Sequence, residues 1–444
     1  MQRRTFLAHT STLALSSGLL SACGGGGSED NDISDSGNPT APTAPVVSTP
    51  PGTAASSRVI VVGGGMGGAT VAKYLRLWGN AIDVTLVERQ SSYTSCILSS
   101  LVLSGQRSLS SLVYSYDALR SRYGVNVVLG DVVAIDPVGV KVTLASGQVL
   151  SADRIVLAPG IEFDAVPGLG TSDRMPHAWK AGTQTSLLAS QLAAMPSGGT
   201  AILTIPKVPY RCPPGPYERA CLLADWMKVN KPRSKLLVLD ANADFTAEKD
   251  NFSQAFYGLH ASVIQYVPNA EVTQVDPATM TLNTPQGQFR GDVVNLIPRQ
   301  RAGTLITANG LSNATEGRFA GVNVLSYAST VAGAGKVHII GDSSATTQPK
   351  AGHIANQEAK VCADAIVRLL AGSSPDPAPV TNSACYSTIT MTQASWLTAV
   401  FQYHAASASM QAVAASSAAS VGWSSGDFRD MGTWFNALMA DTFA

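Results

Sequence analysis

The sequence predicts an α/β protein with two Rossmann-like, dinucleotide-binding-type domains and a C-terminal extension. Three observations predict it: a strand, glycine turn and amphipathic helix in order at 58–78, a second strand-and-turn unit at 200–220, and a return of the strand–turn–helix pattern at 336–370. Alternation of strand and helix periodicity with glycine punctuation is the pattern of a parallel sheet covered by helices.

In the first unit, "RVIVVGGGMGGATVAKYLRLW", Gly63, Gly65 and Gly68 fit G-x-G-x-x-G. The glycines allow a tight turn and a close backbone approach to a pyrophosphate, which then sits on the helix N-terminus. The following strand, "DVTLVE", ends at Glu88, 20 residues past Gly68, with Arg89 next to it. An acidic side chain at that spacing binds the adenosine ribose. The motif alone is weak, but strand, turn, helix, strand and acid together predict a dinucleotide site.

Two later segments favour FAD over NAD as that dinucleotide. "ADRIVLAPGIE" (152–162) runs into Ala158, Pro159 and Gly160, and "KVHIIGDSSA" (336–345) ends at Gly341 and Asp342. Both look like the corresponding turns of flavoproteins with two dinucleotide domains, where the aspartate meets the ribityl-phosphate region. The alternative for Asp342 is a turn residue or helix cap. The helix expected over 352–370 would aim its N-terminal partial charge at the flavin pyrimidine.

The second unit departs from the pattern. After the strand "TAILTI" (200–205) the chain reads "PKVPYRCPPGPYERA", so prolines stand where a phosphate cradle needs glycines and free amides. Proline removes the amide donor and fixes φ. This domain is expected to keep the fold and to have lost a nicotinamide site.

The chain has 444 residues, enough for two or three domains, with 45% hydrophobic residues, 14% charged residues and a formal net charge of zero. That balance lacks the basic excess of a nucleic-acid binder. No segment of the sequence offers the long apolar run of a membrane span, and no metal site is expected. The N-terminus reads differently. Arg3 and Arg4 precede an apolar stretch ending in "LSAC" (20–23), which reads as a twin-arginine export signal over 1–22 with a lipobox at Cys23. Residues 24–57 are Gly, Ser, Asp, Pro and Thr with almost nothing to bury, hence a tether. The expected location is periplasmic, on a lipid anchor at Cys23.

The expected domains are then 58–168 and 306–375 for the FAD domain, 169–305 for the second Rossmann-like domain, and 376–444 for a partner-docking region. The Ala/Ser-rich stretch 394–423 reads as a packed surface segment.

Besides Cys23 there are five cysteines: Cys96, Cys212, Cys221, Cys362 and Cys385. Cys221 and Cys362 lie in apolar helical contexts and read as core fillers. Cys212 lies in the proline-rich turn, and Cys385 begins the C-terminal region. A bridge between these two would be either redox-active or merely stabilising, and connectivity is not legible in spacing. Cys96, in "SSYTSCILSS", is open to three readings: filler, half of a disulfide, or cofactor attachment.

From "RVIVVGGGMGGATVAKY" through "YTSCILS", "HAWKAG", "RCPPGPYERA", "NLIPRQRAG", "IIGDSS" and "ACYS" to "DTFA", the chain resembles the flavoprotein subunit of flavocytochrome c sulfide dehydrogenase, a disulfide-reductase-like flavoprotein. The resemblance covers about residues 58–444. It implies FAD held covalently through Cys96, and a redox-active Cys212–Cys385 disulfide beside the flavin. It also implies oxidation of sulfide, with electrons leaving to a c-type cytochrome. The chain has no C-x-x-C-H, so that haem belongs to another polypeptide or to a soluble cytochrome c. Glu218 is the candidate proton acceptor, against the reading of a solvated helix-start acid. Lys350 is the candidate cation near a flavin carbonyl, against a surface lysine. His177 belongs to the resemblance without a role. The competing functions are a quinone-linked sulfide oxidoreductase, which would call for an amphipathic C-terminal membrane helix, and a lipoprotein that only binds FAD.

Overall fold

The structure, a computed structural model, describes residues 57–79 and 81–444. The export signal, Cys23 and the tether up to residue 56 lie outside the described residues.

Strand β1 (Ser57–Val62) is buried at Val59, Ile60, Val61 and Val62, as expected for a strand covered on both faces. It passes through the glycine turn into α1 (Met66–Trp78), then β2 (Ile82–Glu88), β3 (Asn126–Leu129) and β4 (Arg154–Leu157). The second domain contributes α2 (Thr183–Ala194), β5 (Thr200–Ile205), α3 (Gly215–Asn230), β6 (Lys235–Asp240), β7 (Ile264–Val267) and β8 (Val293–Asn295). The chain then returns through β9 (Val337–Ile339) and α4 (Gly352–Leu370), and ends with β10 (Val380–Thr388), β11 (Ala394–His404) and α5 (Ser425–Phe443).

Two parallel sheets result. The first runs β9-β4-β1-β2-β3, with β1 in the middle and short strands added beyond β9. The second runs β7-β6-β5-β8. The chain crosses between the domains through an antiparallel ribbon pairing Ile161–Phe163 with Gln300–Ala302. In both sheets the early strand sits centrally, so its C-terminal end faces the crevice where ligands of open α/β sheets bind.

The C-terminal segment is built into the fold. Met431, Phe435, Leu438, Met439 and Phe443 of α5 join the core formed by α1 and α4. Residues 394–404, read from composition as part of a packed surface segment, form strand β11 instead. Trp396, Leu397, Val400, Phe401 and Tyr403 interrupt the Ala/Ser bias there, and aromatic and β-branched side chains favour a pleated, half-buried surface. Strand β10 pairs antiparallel with β11 over its full length and lies at the sheet edge. No helix among the described residues is long and apolar enough to cross a membrane.

Candidate active site

One cavity of about 830 Å³ runs from the glycine turn of β1 to the start of α3 and to β10. The first turn is built by steric necessity. Gly63 has φ +98°, and a Cβ there would sit 2.5 Å from Ala158 O. A Cβ on Gly68 would sit 1.7 Å from Gly63 O, so the third glycine lets helix α1 close onto the turn and does not itself line the cavity. Gly63 and Gly65 do line it. Glu88 accepts the Gly64 N–H at 2.6 Å and the Gln90 N–H at 3.0 Å, so its carboxylate braces the turn while still lining the cavity. Arg89 stands at the rim, two-thirds exposed and 3.9 Å from Asp131.

Ala158, Pro159 and Gly160 continue the wall, with Gly160 at φ +72°. Gly341 and Asp342 follow β9 into the same wall. Asp342 Oδ1 is buried without a partner, while Oδ2 lies 3.9 Å from Arg211. Burial pushes this carboxyl above its ordinary range, against the pull of Arg211 and Lys350. A glycine cradle that any Cβ would fill, next to an orphaned acid acceptor and the N-terminus of the 19-residue α4, fits the phosphates and ribityl hydroxyls of FAD.

Lys350 lies behind the cavity wall. Its ammonium does not line the main cavity; it donates to Ser344 O at 2.6 Å and sits 3.9 Å from the centre of the Phe319 ring. A carbonyl, an aromatic face and the nearby carboxyls of Asp342 and Glu358 offset the burial of this cation. Desolvation lowers it to about 8. The lysine's backbone serves the site, since Lys350 O accepts the Cys212 N–H at 2.7 Å.

Three of the cysteines meet at this cavity: Cys96, Cys212 and Cys385. Cys96 Sγ accepts the Ala181 N–H at 3.3 Å, which ties the "HAWKAG" loop to it. Cys212 takes a left-handed φ of +57° at the end of the proline turn, and the Gly215 N–H bonds back to its carbonyl at 2.9 Å. A Cβ on Gly215 would sit 2.8 Å from Cys212 Sγ and 2.9 Å from Trp179, so only glycine fits beneath the thiol. Pro214 stands at the N-cap of α3 and Pro216 in its first turn, where a missing amide costs the helix nothing. Cys221 and Cys362 are fully buried in the cores.

All five described cysteines are free thiols, so the Cys212–Cys385 bridge implied by the resemblance is not formed in this structure. The two stand as a dithiol in a shared electrostatic environment: burial raises Cys212 well above the ordinary thiol range, Cys385 and Glu218 raise it further, and Arg211 opposes them. Cys385 is pushed up to about 12 by burial and by Glu248. Burial favours the protonated form of both thiols, so their deprotonation calls for a proton acceptor.

Glu218 supplies one. It lies in the first turn of α3, lines the cavity and accepts from Thr388 Oγ1 at 3.0 Å. It is not a solvated helix-start acid: burial raises it to about 7, against the pull of Thr388 and Arg219. Its neighbour Arg219, 1% exposed, donates to Ser100 Oγ, Asn295 Oδ1 and Ala178 O and stacks on Trp179 at 4.7 Å. Arg211 bonds Trp179 O and sets a positive charge beside Cys212. Sequence reading missed Arg211, Arg219 and Trp179, although all lie inside the quoted "RCPPGPYERA" and "HAWKAG" segments. His177 acquires a structural part: its Nδ1 accepts the Trp179 N–H at 2.9 Å, and burial holds the ring neutral, at about 4. No group of side chains among the described residues could hold a metal ion.

The fold and this cavity define the class. Residues 57–194 match the pyridine nucleotide-disulphide oxidoreductase family model, which implies FAD as the bound dinucleotide. Residues 185–298 match the model of the central part of the sulfide dehydrogenase [flavocytochrome c] flavoprotein chain. These matches support an FAD-dependent oxidoreductase of the disulfide-oxidoreductase type, and residues 185–298 are similar to the central part of the sulfide dehydrogenase flavoprotein chain. Solved structures share the fold. A sulfide:quinone oxidoreductase from Aquifex aeolicus superposes with TM-score 0.71 at 16% identity, over 87% of this chain and 91% of that one. An NAD-dependent persulfide reductase from A. fulgidus gives 0.58 at 14%, over 86% and 77%. The water-forming NADH oxidase of Lactobacillus brevis gives 0.57 at 17%, over 78% and 84%.

Proposed function

We propose that this protein oxidises sulfide at Cys212 and Cys385, with FAD attached through Cys96, and that the electrons leave to a c-type cytochrome carried by another chain. One observation carries the reading: cysteines from three distant segments converge on the cavity that also bears the dinucleotide turn and Asp342.

In the oxidised protein the two thiols are joined. Hydrosulfide attacks one sulfur, the S–S bond breaks, and a persulfide and a thiolate result, with charge conserved. Arg211 stabilises the thiolate if it forms at Cys212. Loss of two electrons and one proton from the persulfide and thiolate together leaves the added sulfur in the sulfane state. Glu218, titrating at about 7, takes that proton. FAD, when bound, accepts the two electrons and can release them singly. Gly63, Gly65, Glu88 and Asp342 would hold its phosphates and ribose, and the α4 N-terminus would stabilise negative charge at the ring. The proline turn before α3 leaves no amide cradle for a nicotinamide nucleotide, so NADH is not the expected reductant.

The test is anaerobic mixing of the purified holoprotein with sulfide, followed by oxidised cytochrome c. The expected result is flavin bleaching that the cytochrome reverses. A flavin that sulfide leaves oxidised removes the reading. A quinone is the competing acceptor, because the A. aeolicus structure of the same fold is a sulfide:quinone oxidoreductase. Reoxidation by a short-chain quinone, with cytochrome c inert, would establish that acceptor instead. Export and a lipid anchor at Cys23 complete the proposal, and a membrane-bound fraction lost on Cys23→Ala checks them.

A further inference from the structure

Strand β10, which carries Cys385, is an edge strand: β11 covers one side and helices α4 and α5 face the other. Such an edge leaves every second amide without a ladder partner. The amide of Ala384, the residue before Cys385, donates to His353 Nδ1 at 3.0 Å. Trp434 Nε1, on α5, donates to the same nitrogen at 3.4 Å. His353 is the second residue of α4, and its backbone is fixed from behind: a Cβ on Gly352 would lie 2.9 Å from Ile97, the neighbour of Cys96.

Two N–H groups aimed at Nδ1 leave only Nε2 to carry the ring proton. Nδ1 also lies 3.5 Å from Ala384 O, but a proton there would oppose both donors, so the two donors decide the tautomer. Burial agrees, holding the ring neutral at about 4.

The residues after Cys385 are held from two sides. Ser387 Oγ donates to Glu248 at 2.6 Å and Thr388 Oγ1 to Glu218 at 3.0 Å, gripping the strand from the second domain. Tyr386 packs 5.6 Å from the Trp434 ring of α5. Cys385 therefore lies between two grips, and the one on the flavin-domain side is the His353 hydrogen bond.

We propose that His353 is a positioning residue for Cys385, acting through Nδ1 as a neutral acceptor that fixes the strand edge and thereby the approach of Cys385 to Cys212. The proposal rests on the reading of these two cysteines as the sulfur-handling pair. It concerns geometry, so it can be tested apart from turnover.

Two substitutions separate the ends of the ring. In His353→Asn the amide oxygen takes the place of Nδ1, whereas in His353→Gln the side chain reaches the place of Nε2 and leaves Nδ1 unreplaced. His353→Ser reaches neither. The holoprotein is reduced anaerobically with dithiothreitol and alkylated with iodoacetamide, and labelling of Cys385 and Cys212 is followed by peptide mass spectrometry. Flavin content and melting temperature are measured alongside. The ratio of the Cys385 to the Cys212 rate is expected to stay within about twofold of wild type in the Asn variant and to shift about fivefold in the Gln and Ser variants, the scale of one lost hydrogen bond. An unshifted ratio in both Gln and Ser variants overturns the proposal, as does an equal shift in the Asn variant. So does a parallel rise in both rates, which would mark general loosening. If the ratio shifts as expected while wild-type flavin ignores sulfide, the positioning role stands and the proposed reaction falls.

Discussion

Replacing Glu218 by Gln keeps the shape of the site and removes one titration. The wild-type carboxyl is moved by burial from an ordinary 4.5 to about 7. A raised carboxyl stabilises the fold fully below its unfolded value and loses that contribution as pH rises through its folded value. Between about pH 5 and about pH 8 the wild type should therefore lose about 2.5 kcal/mol that the Gln variant keeps, since each tenfold change in proton affinity is worth about 1.4 kcal/mol. Groups that do not sense the Glu218 charge titrate alike in both proteins and cancel in the difference, and the thiols that do sense it titrate above this range. Urea unfolding of both proteins at the two pH values measures it, read as the change in their stability difference. Sulfide-dependent flavin reduction supplies the second readout. The wild-type rate should rise with pH through about 7, and the Gln variant should be slower by about 100-fold, the lower end of general-base contributions. Both proteins share the titration of the substrate, so the profiles differ only by the residue. A stability difference that stays within about 0.5 kcal/mol across that range, the ordinary size of a surface substitution, would refute the burial argument. An unchanged rate profile would refute the proton-acceptor role.

Three further outcomes follow from the same geometry. Acid-precipitated wild type should retain yellow flavin on the polypeptide, and Cys96→Ser should release it; flavin free in the wild-type supernatant would remove the covalent attachment. Gly215→Ala should push the Cys212 side chain aside, costing about 1–3 kcal/mol by overpacking and slowing oxidation of the dithiol, measured by unfolding and thiol titration. Arg219→Met removes three hydrogen bonds and leaves buried Asn295 Oδ1 and Ala178 O without their donor, so unfolding should show a loss of about 3 kcal/mol.

Local features were the ones legible in the sequence. The turn at Gly63 needs a positive φ and no Cβ, and the helix behind it needs Gly68, so sterics within a few residues dictate the identities. The proline turn is legible for the same reason, because missing amides are a property of the residues themselves. The contacts of Lys350 were not legible because a flexible four-carbon stem lets its charge choose among several partners, and the Phe319 face is contributed by another segment. Strand β11 was not legible because composition averages away the Trp396, Val400 and Phe401 scattered among small residues that the sheet uses.

The sequence by itself determined the two Rossmann-like units, the proline-rich turn that stands after the first strand of the second, and which cysteines lie outside apolar helices. Each of these depends on backbone freedom or side-chain polarity over a span of a few residues. Only the tertiary structure decided that Glu218 is buried enough to titrate near neutrality, that Arg219 and Trp179 brace the cavity, and that His353 meets the amide beside Cys385. Desolvation and hydrogen bonding between segments far apart in the chain exist only once it has closed, so no local pattern of residue types encodes them.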